Sequence, residues 1–436
     1  MQKEDINLVW FRNDLRVKDN KSLSEACLLN NMKTLAFYCL DPRHFAKTKY
    51  GFKKTEKFRA KFLIETVQNL KENLKKLNIN LVVFHEKPEK AIDEIIDRFN
   101  IKNIYFQNEW TSEEKCVEEN LLKKLKECEI NSYDNQFLFS PDQIPYENYA
   151  DLPEVFTQFR KACEKKIKIN LETPIPSDQT DANLIDFESE VPRLKDLGFE
   201  DFDIDNRSVF PFQGGEDSAW DRLNDYFWKT KKLQVYKKTR NGLLGTDYSS
   251  KFSAWLANGS ISAVSIYHQV KLFEKKITKN QDTYWLIFEL IWRDFFKYMS
   301  LKHGNAFFKL DGINTEKYDW HFNPKIFQKW IDGKTEEDFV NANMLEIKET
   351  GFMSNRGRQN VCSYWSKELL QDWRAGAAYF EAMLIDYDVH SNWGNWMYNS
   401  GVGNDPRNRK FNIKSQAQRY DGQGKYQRQW LQNNLF

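Results

Sequence analysis

The sequence predicts two domains of different class: an N-terminal α/β domain with a doubly wound parallel sheet (residues 1–130) and an all-α domain (216–436), joined by a long connector (131–215). Three observations predict this. Short apolar runs alternate with amphipathic charged segments through the first third. Between 170 and 215, Pro174, Pro176, Pro192 and Pro211 are dispersed among Asp, Glu and Asn without a long apolar pattern. From about residue 216 the pattern is helical almost to the end and rich in rings, as in "DTYWLIFELIWRDFFKYMSL" (282–301).

The strands are the runs "INLVWF" (6–11), "TLAFYCL" (34–40), "NLVVFH" (80–85) and "NIYFQ" (103–107). Being almost continuously apolar, they suit a sheet covered on both faces. The segments "KFRAKFLIETVQNLKENLKKL" (57–77) and "EEKCVEENLLKKLKE" (113–127) carry helical spacing and supply the cover. The first strand runs into "WFRNDLRVKDN" (10–20) rather than into GxGxxG, so the dinucleotide fingerprint is missing and a cofactor is expected elsewhere. The connector reads as an extended segment passing over the surface.

Composition excludes more than it selects. With Lys+Arg 65 against Asp+Glu 63, net charge names no partner, and local charge must be read instead. The six cysteines show no CxxC and the six histidines no HxxxH, so free thiols and no metal site are expected. No apolar run approaches about 18 residues and no leader pattern precedes "INLVWF", so a cytoplasmic protein is expected.

Four constellations carry candidate chemistry. In "YKKTRNGLLGTDYSSKFSAWLANGSIS" (236–262), Ser249, Ser250, Lys251 and Ser253 precede an apolar run; they suit a phosphate cradle or an ordinary capped helix. In "ELIWRDFF" (289–296), Glu289, Trp292 and Arg293 share a helical face, which suits a flat polar ligand or a salt-bridged surface. In "TGFMSNRGRQNVCSYWSKELLQDWRAG" (350–376), Asn355, Arg356 and Arg358 crowd around Gly357, and Asp386 and Asp388 follow in "LIDYDVHSNWGNW"; guanidinium, carboxylate and amides together could hold a ring with donor and acceptor edges, such as an isoalloxazine. The stretch "SNWGNWMYNSGVGNDPR" (391–407) surrounds large rings with Asn, Gly and Ser, unlike a buried helix. Residues 229–240 hold six basic groups and no acid, which suits nucleic-acid phosphates or a solvated face.

Together "VWFRNDLRVKDN", "TRNGLLGTDYSSKFS", "WRDFF", "TGFMSNRGRQNV", "DWRAGAAYFEAMLIDYDVHSNWGNW" and "GVGNDPR" resemble the photolyase/cryptochrome family, and within it the DASH group, over essentially the whole chain. The resemblance implies an α/β antenna domain and a helical domain holding FAD. Tyr236, Ser249, Ser250 and Ser253 would surround the phosphates, with Lys251 nearby. Arg293, Asn355, Arg358, Asp386, Asp388 and Asn392 would contact the flavin or brace its contacts, Asn392 facing N5. Trp396, Trp373 and Trp320 match the family's electron chain, Trp320 lying toward the surface.

It also implies a substrate cavity for a flipped-out cyclobutane pyrimidine dimer, lined by Glu289, Trp292, Asn355, Gln359 and Tyr398. Arg240, Arg407 and the basic tail would hold phosphates. In the implied reaction, excited FADH⁻ donates an electron to the dimer, the ring splits and the electron returns, with Glu289 stabilising the radical anion. Tyr398 and Gln359 stand where conventional dimer photolyases carry Trp and Met; a smaller, more polar pocket offsets less of the flipping cost, so single-stranded DNA is the expected substrate, with RNA a second candidate. Glu109 in "QNEWTSEE" matches a contact of the antenna chromophore methenyltetrahydrofolate. A helix-capping role for that acid is the other reading. The chain departs from the family in Ala254 and Ala263, where proline is common, and in Glu336, Asp338 and Asn341 of "TEEDFVNANM". A monomer is expected. The competing functions are a blue-light receptor or nucleic-acid-binding regulator without repair, and a light-independent flavoprotein.

Overall fold

The structure, a computed structural model, describes residues 3–28, 32–177, 179–314 and 316–432. Five parallel strands, β1 (Glu4–Trp10), β2 (Lys33–Cys39), β3 (Leu81–Phe84), β4 (Phe99–Gln107) and β5 (Glu129–Tyr133), form one sheet in the order β3-β2-β1-β4-β5. Alternate residues of β1 serve opposite faces, which explains its apolar run from Ile6, broken only by Asn7, whose buried amide donates to Ala26 O. Ile6, Leu8 and Trp10 pack with Ile92, Ile95 and Leu121 of helices Pro88–Arg98 and Ser112–Leu122. Val9 packs on the other face with Leu23, Val67, Leu70 and Leu74 of helices Lys21–Leu28 and Lys57–Lys75. β5 was not foreseen: "EINSY" is a polar edge strand with no apolar run to betray it.

The connector is extended in part, yet it contains helix Phe156–Lys166, whose Phe156, Phe159 and Cys163 are buried in the helical domain's core. Farther on it is pinned to the sheet: Asn183 Oδ1 accepts from Thr34 N at 2.8 Å, and Leu194 and Leu197 join the core beside Val9.

The C-terminal part is helical. Its axis is Gln281–His303, which starts at a capping box on Asn280 and stops at Gly304. The ring-rich stretch from 391 lies mostly in helix Val389–Ser400, which corrects the expectation that it is unlike a buried helix. Asp388 caps its start and Gly401, at φ 90°, ends it; Gly394 within it meets the Phe296 ring, and Gly376 of helix Trp373–Met383 meets the Trp396 ring. Two of the segments that depart from the resembled family are held by side-chain bonds. Ser262 accepts from Ser265 N to start helix Ala263–Lys276, and Asn341 closes its turn by bonding Thr335 through both amide atoms.

The two domains lock closely. Trp110 lies stacked between Phe137 (5.4 Å, 13°) and His390 (4.5 Å, 17°), and its indole N–H donates to Ser300 Oγ at 2.6 Å. Glu216 accepts the N–H groups of Val17 and Lys18 at 2.8 and 3.1 Å. A Cβ on Gly259 would sit 2.1 Å from Asn13 O, so only glycine permits this approach.

Candidate cofactor and substrate site

A cavity of about 240 Å³ opens in the helical domain, and a smaller one of about 80 Å³ adjoins it through shared Asn355, Arg358, Asp386, Ser391 and Asn395. Tyr236, Ser249, Ser250, Lys251, Ser253, Arg293, Asn355, Arg358, Asp386 and Asp388 all line the larger cavity, although they come from segments 150 residues apart. Asn392, Trp396 and Gln359 line the smaller.

At one end, Arg222 bonds the carbonyls of Ser249 and Ser250 at 3.1 and 3.2 Å, fixing the serine turn. Lys251 has φ 66°, and its ammonium lies 3.3 Å over the Tyr248 ring. That Nζ is buried without a hydrogen-bond partner, and burial pushes the group well below the usual lysine range. A buried amine between the Tyr248 and Phe352 rings, without a hydrogen-bond partner and belonging to a turn of serines that lines the cavity, suits a phosphate that would supply both partner and countercharge.

At the other end, Arg358 forks onto both oxygens of Asp386 at 2.9 Å, and its Nε donates to Met353 O. Asp388 pairs with Lys297 at 3.2 Å; the lysine holds its carboxyl well below the usual range despite burial. Arg293 donates to Gln136 O and Leu256 O, while its buried Nε has no partner. Asn392 donates to Ala377 O at 3.0 Å, which fixes its amide. Donors and acceptors are thus mixed along the cavity, and its two ends together suit a dinucleotide, with polar groups for a ring edge at one end and for the diphosphate at the other. The residues present fit FAD.

Glu289 reaches the same cavity, where Arg240 pairs with it at 2.9 Å. Arg240, expected on phosphates, is therefore partnered inside the site. Burial raises the Glu289 carboxyl and Arg240 opposes the rise. Trp292 and Tyr398 meet edge to face at 86° with centroids 5.8 Å apart, and neither lines the two cavities. Phe156 of the connector stacks on Trp292 at 3.7 Å and 10°, a support the sequence reading missed. Gln359 accepts from Arg356 at 2.8 Å, and Arg407 is exposed on the loop beyond Tyr398.

Among the aromatic residues, Trp396 packs against Gly376, where a Cβ would stand 2.2 Å from its ring, three residues along the helix that begins at Trp373. Trp373 donates to Leu310 O at 2.9 Å. Trp320, expected toward the surface, is only 8% exposed, because Tyr318 covers it.

A larger cavity of about 470 Å³ lies between the domains. Glu109 lines it, accepting from Asn13 and Gln107. The sequence reading missed its other polar walls, among them His44, Arg59, Glu114, Glu381 and His390. Burial lowers His44 to about 4 and raises Glu114 to about 7. Arg293 and Asp388 face both cavities. One signal would have found it. The strand order turns outward between β1 and β4, and Asn13 and Glu109 follow those two strands, the place where open α/β sheets take ligands. Among the described residues no group of three His, Cys, Asp or Glu could hold a metal ion, and no helix is long and apolar enough to cross a membrane.

Comparison with known proteins matches residues 7–179 to the DNA photolyase family and 285–434 to the FAD binding domain of DNA photolyase. The chain is 46% identical over 427 residues to a cryptochrome DASH of Gloeobacter violaceus, covering 97% of this chain and 85% of that one. It is 45% identical over 432 residues to a cryptochrome DASH of Danio rerio, covering 97% and 82%. The crystal structure of a Synechocystis cryptochrome superposes with a TM-score of 0.92 at 46% identity, covering 99% and 89%. A class III photolyase of Agrobacterium tumefaciens, TM-score 0.82 at 24% identity over 99% and 87%, shares the fold.

Proposed function

The chain belongs to the photolyase/cryptochrome family and carries its FAD-binding domain, and from that premise we propose that it repairs cyclobutane pyrimidine dimers by light, preferentially in single-stranded DNA. FAD bound in its reduced form supplies, on absorbing blue light, the electron that splits the dimer. The protein's residues do the rest. The serine turn and Lys251 hold the diphosphate, and Arg358 with Asp386 orients the ring system. Asn392, its amide fixed by Ala377 O, would contact the flavin.

The observation that carries the reading is Glu289 in the flavin cavity, paired with Arg240 and one helical turn before Trp292. Trp292 and Tyr398 would contact a dimer that has left the stack, and Phe156 backs the first. Glu289, kept protonatable by burial, donates to a pyrimidine carbonyl where negative charge develops. Tyr398 buries less ring than an indole would, so less of the unstacking cost is offset and the single strand is favoured. Exposed Arg407 draws in the phosphates, while Arg240 stays paired with Glu289. The interdomain cavity, with Glu109 and buried cations, takes methenyltetrahydrofolate as antenna. A blue-light receptor would need the flavin and the tryptophans but not the Glu289–Arg240 pair in the cavity, which is why repair is preferred.

The test is direct. Flavin-loaded, reduced protein is illuminated with a thymine dimer in a single-stranded oligonucleotide, alongside a dark control. Light-dependent loss of dimer is expected; no loss from photoreducible protein would favour the receptor.

A further inference from the structure

The burial of Trp320 raises a question about where the aromatic chain ends. Its indole N–H donates to Ser366 O at 2.7 Å, so an oxidised Trp320 has no water at the nitrogen to take its proton. Tyr318 is the neighbour that reaches solvent. Its ring stacks on Trp320 at 4.7 Å and 13°, and its hydroxyl donates to Glu316 Oε2 at 2.8 Å. Asn408 braces the pair: its Nδ2 donates to the same Glu316 oxygen at 2.7 Å, and its Oδ1 lies 2.9 Å from the phenol oxygen while accepting from Lys367 at 2.6 Å. A Cβ on Gly401 would stand 2.4 Å from the Tyr318 hydroxyl, so the turn after Ser400 leaves room for this phenol and for little else.

We propose that Tyr318 is the terminal electron donor of the aromatic chain and that Glu316 receives its proton. The inference rests on the reading of Trp396, Trp373 and Trp320 as that chain. One electron passes from the Tyr318 ring to oxidised Trp320, which returns to a neutral indole with its N–H bond intact. The phenol O–H bond breaks, the proton moves to Glu316 Oε2, and a neutral tyrosyl radical remains. The oxidant is photoexcited oxidised flavin acting through the three tryptophans, and a soluble thiol later restores the electron and proton. Stacked rings give the electron a short path, and the preformed hydrogen bond gives the proton one. At rest the phenol is protonated: burial and the bonded carboxylate of Glu316 hold it up at about 12. Once the proton sits on an exposed carboxylate, return of the electron requires return of the proton, so the charge-separated state lasts.

The experiment is flash photolysis with electron paramagnetic resonance on full-length protein loaded with oxidised FAD, flavin content being checked for every variant. Wild type should show a tryptophan radical cation giving way to a tyrosyl radical, more slowly in D2O. Tyr318→Phe keeps the stacked ring and should lose the tyrosyl signal, leaving the tryptophan cation to recombine. Glu316→Gln should slow the conversion and reduce the D2O effect. Wild-type transients in Tyr318→Phe would overturn the proposal, and wild-type transients in Glu316→Gln would remove the carboxylate from it. Trp320→Phe separates the two levels. If it abolishes long-lived radicals while Tyr318→Phe changes nothing, only the tyrosine is wrong; if it changes nothing, the chain reading fails and the proposal with it.

Discussion

Glu289 needs a proton for the role proposed for it. A carboxylate only accepts hydrogen bonds, whereas a neutral acid can donate to a pyrimidine carbonyl. Burial raises its pKa, and Arg240 at 2.9 Å pulls it back. Repair per bound dimer is therefore expected to fall as pH rises through the Glu289 pKa of the complex, and Glu289→Gln, which donates at every pH, should flatten that profile. Glu289→Ala removes a hydrogen bond to developing charge worth about 1.5–3 kcal/mol, so its repair yield should drop by about tenfold or more. Gly376 is a second test at this scale. Alanine there would meet the Trp396 ring at 2.2 Å and should destabilise by about 1–3 kcal/mol in chemical denaturation. The lining residues were legible because their types and order match a family pattern. The Arg240–Glu289 pairing was not, since nothing in local spacing says which cation meets which carboxylate across 49 residues.

Helix Phe156–Lys166 shows how an element's role can hide in a connector. Phe156 stacks on Trp292, and two residues earlier Glu154 accepts from Lys302, His303 and Asn404, thereby tying down the loop that follows Tyr398. Trp292 and that loop both lean on this segment. Phe156→Leu loses a stack worth about 0.5–1.5 kcal/mol beyond its area, so KM for dimer should rise about two- to tenfold with flavin content unchanged. An unchanged KM would mean that Trp292 holds its position unaided. Strand and helix periods gave four strands and the long helices. They did not give β5, which is polar, nor helix Val389–Ser400, whose buried residues are His, Asn, Gly, Trp, Met and Ser. Its cap residues Asp388 and Gly401 were present in the sequence, but the ring-rich composition between them obscured the helical period.

At the scale of the whole molecule, acids stranded by burial set a pH response. Glu346 is raised from 4.5 to about 7 by burial, although Tyr426 donates to it at 2.7 Å. A folded state that holds a proton longer than the unfolded chain loses stability as pH rises between those values. The melting temperature of flavin-free protein should therefore fall across that window, and Glu346→Gln should lessen the slope. The two-domain plan was legible in the alternation of apolar runs and in the helical second half. The cavity between the domains was not, because its walls come from strand ends and from helices that only the folded chain brings together. The central claim is repair of a flipped dimer in a pocket too lean to extract it from a duplex. It is tested most directly with one thymine dimer placed in matched single-stranded and duplex oligonucleotides, illuminated with reduced, flavin-loaded protein. Loss of dimer in the single strand with little in the duplex is the predicted result; equal loss in both, or none in either, would contradict it.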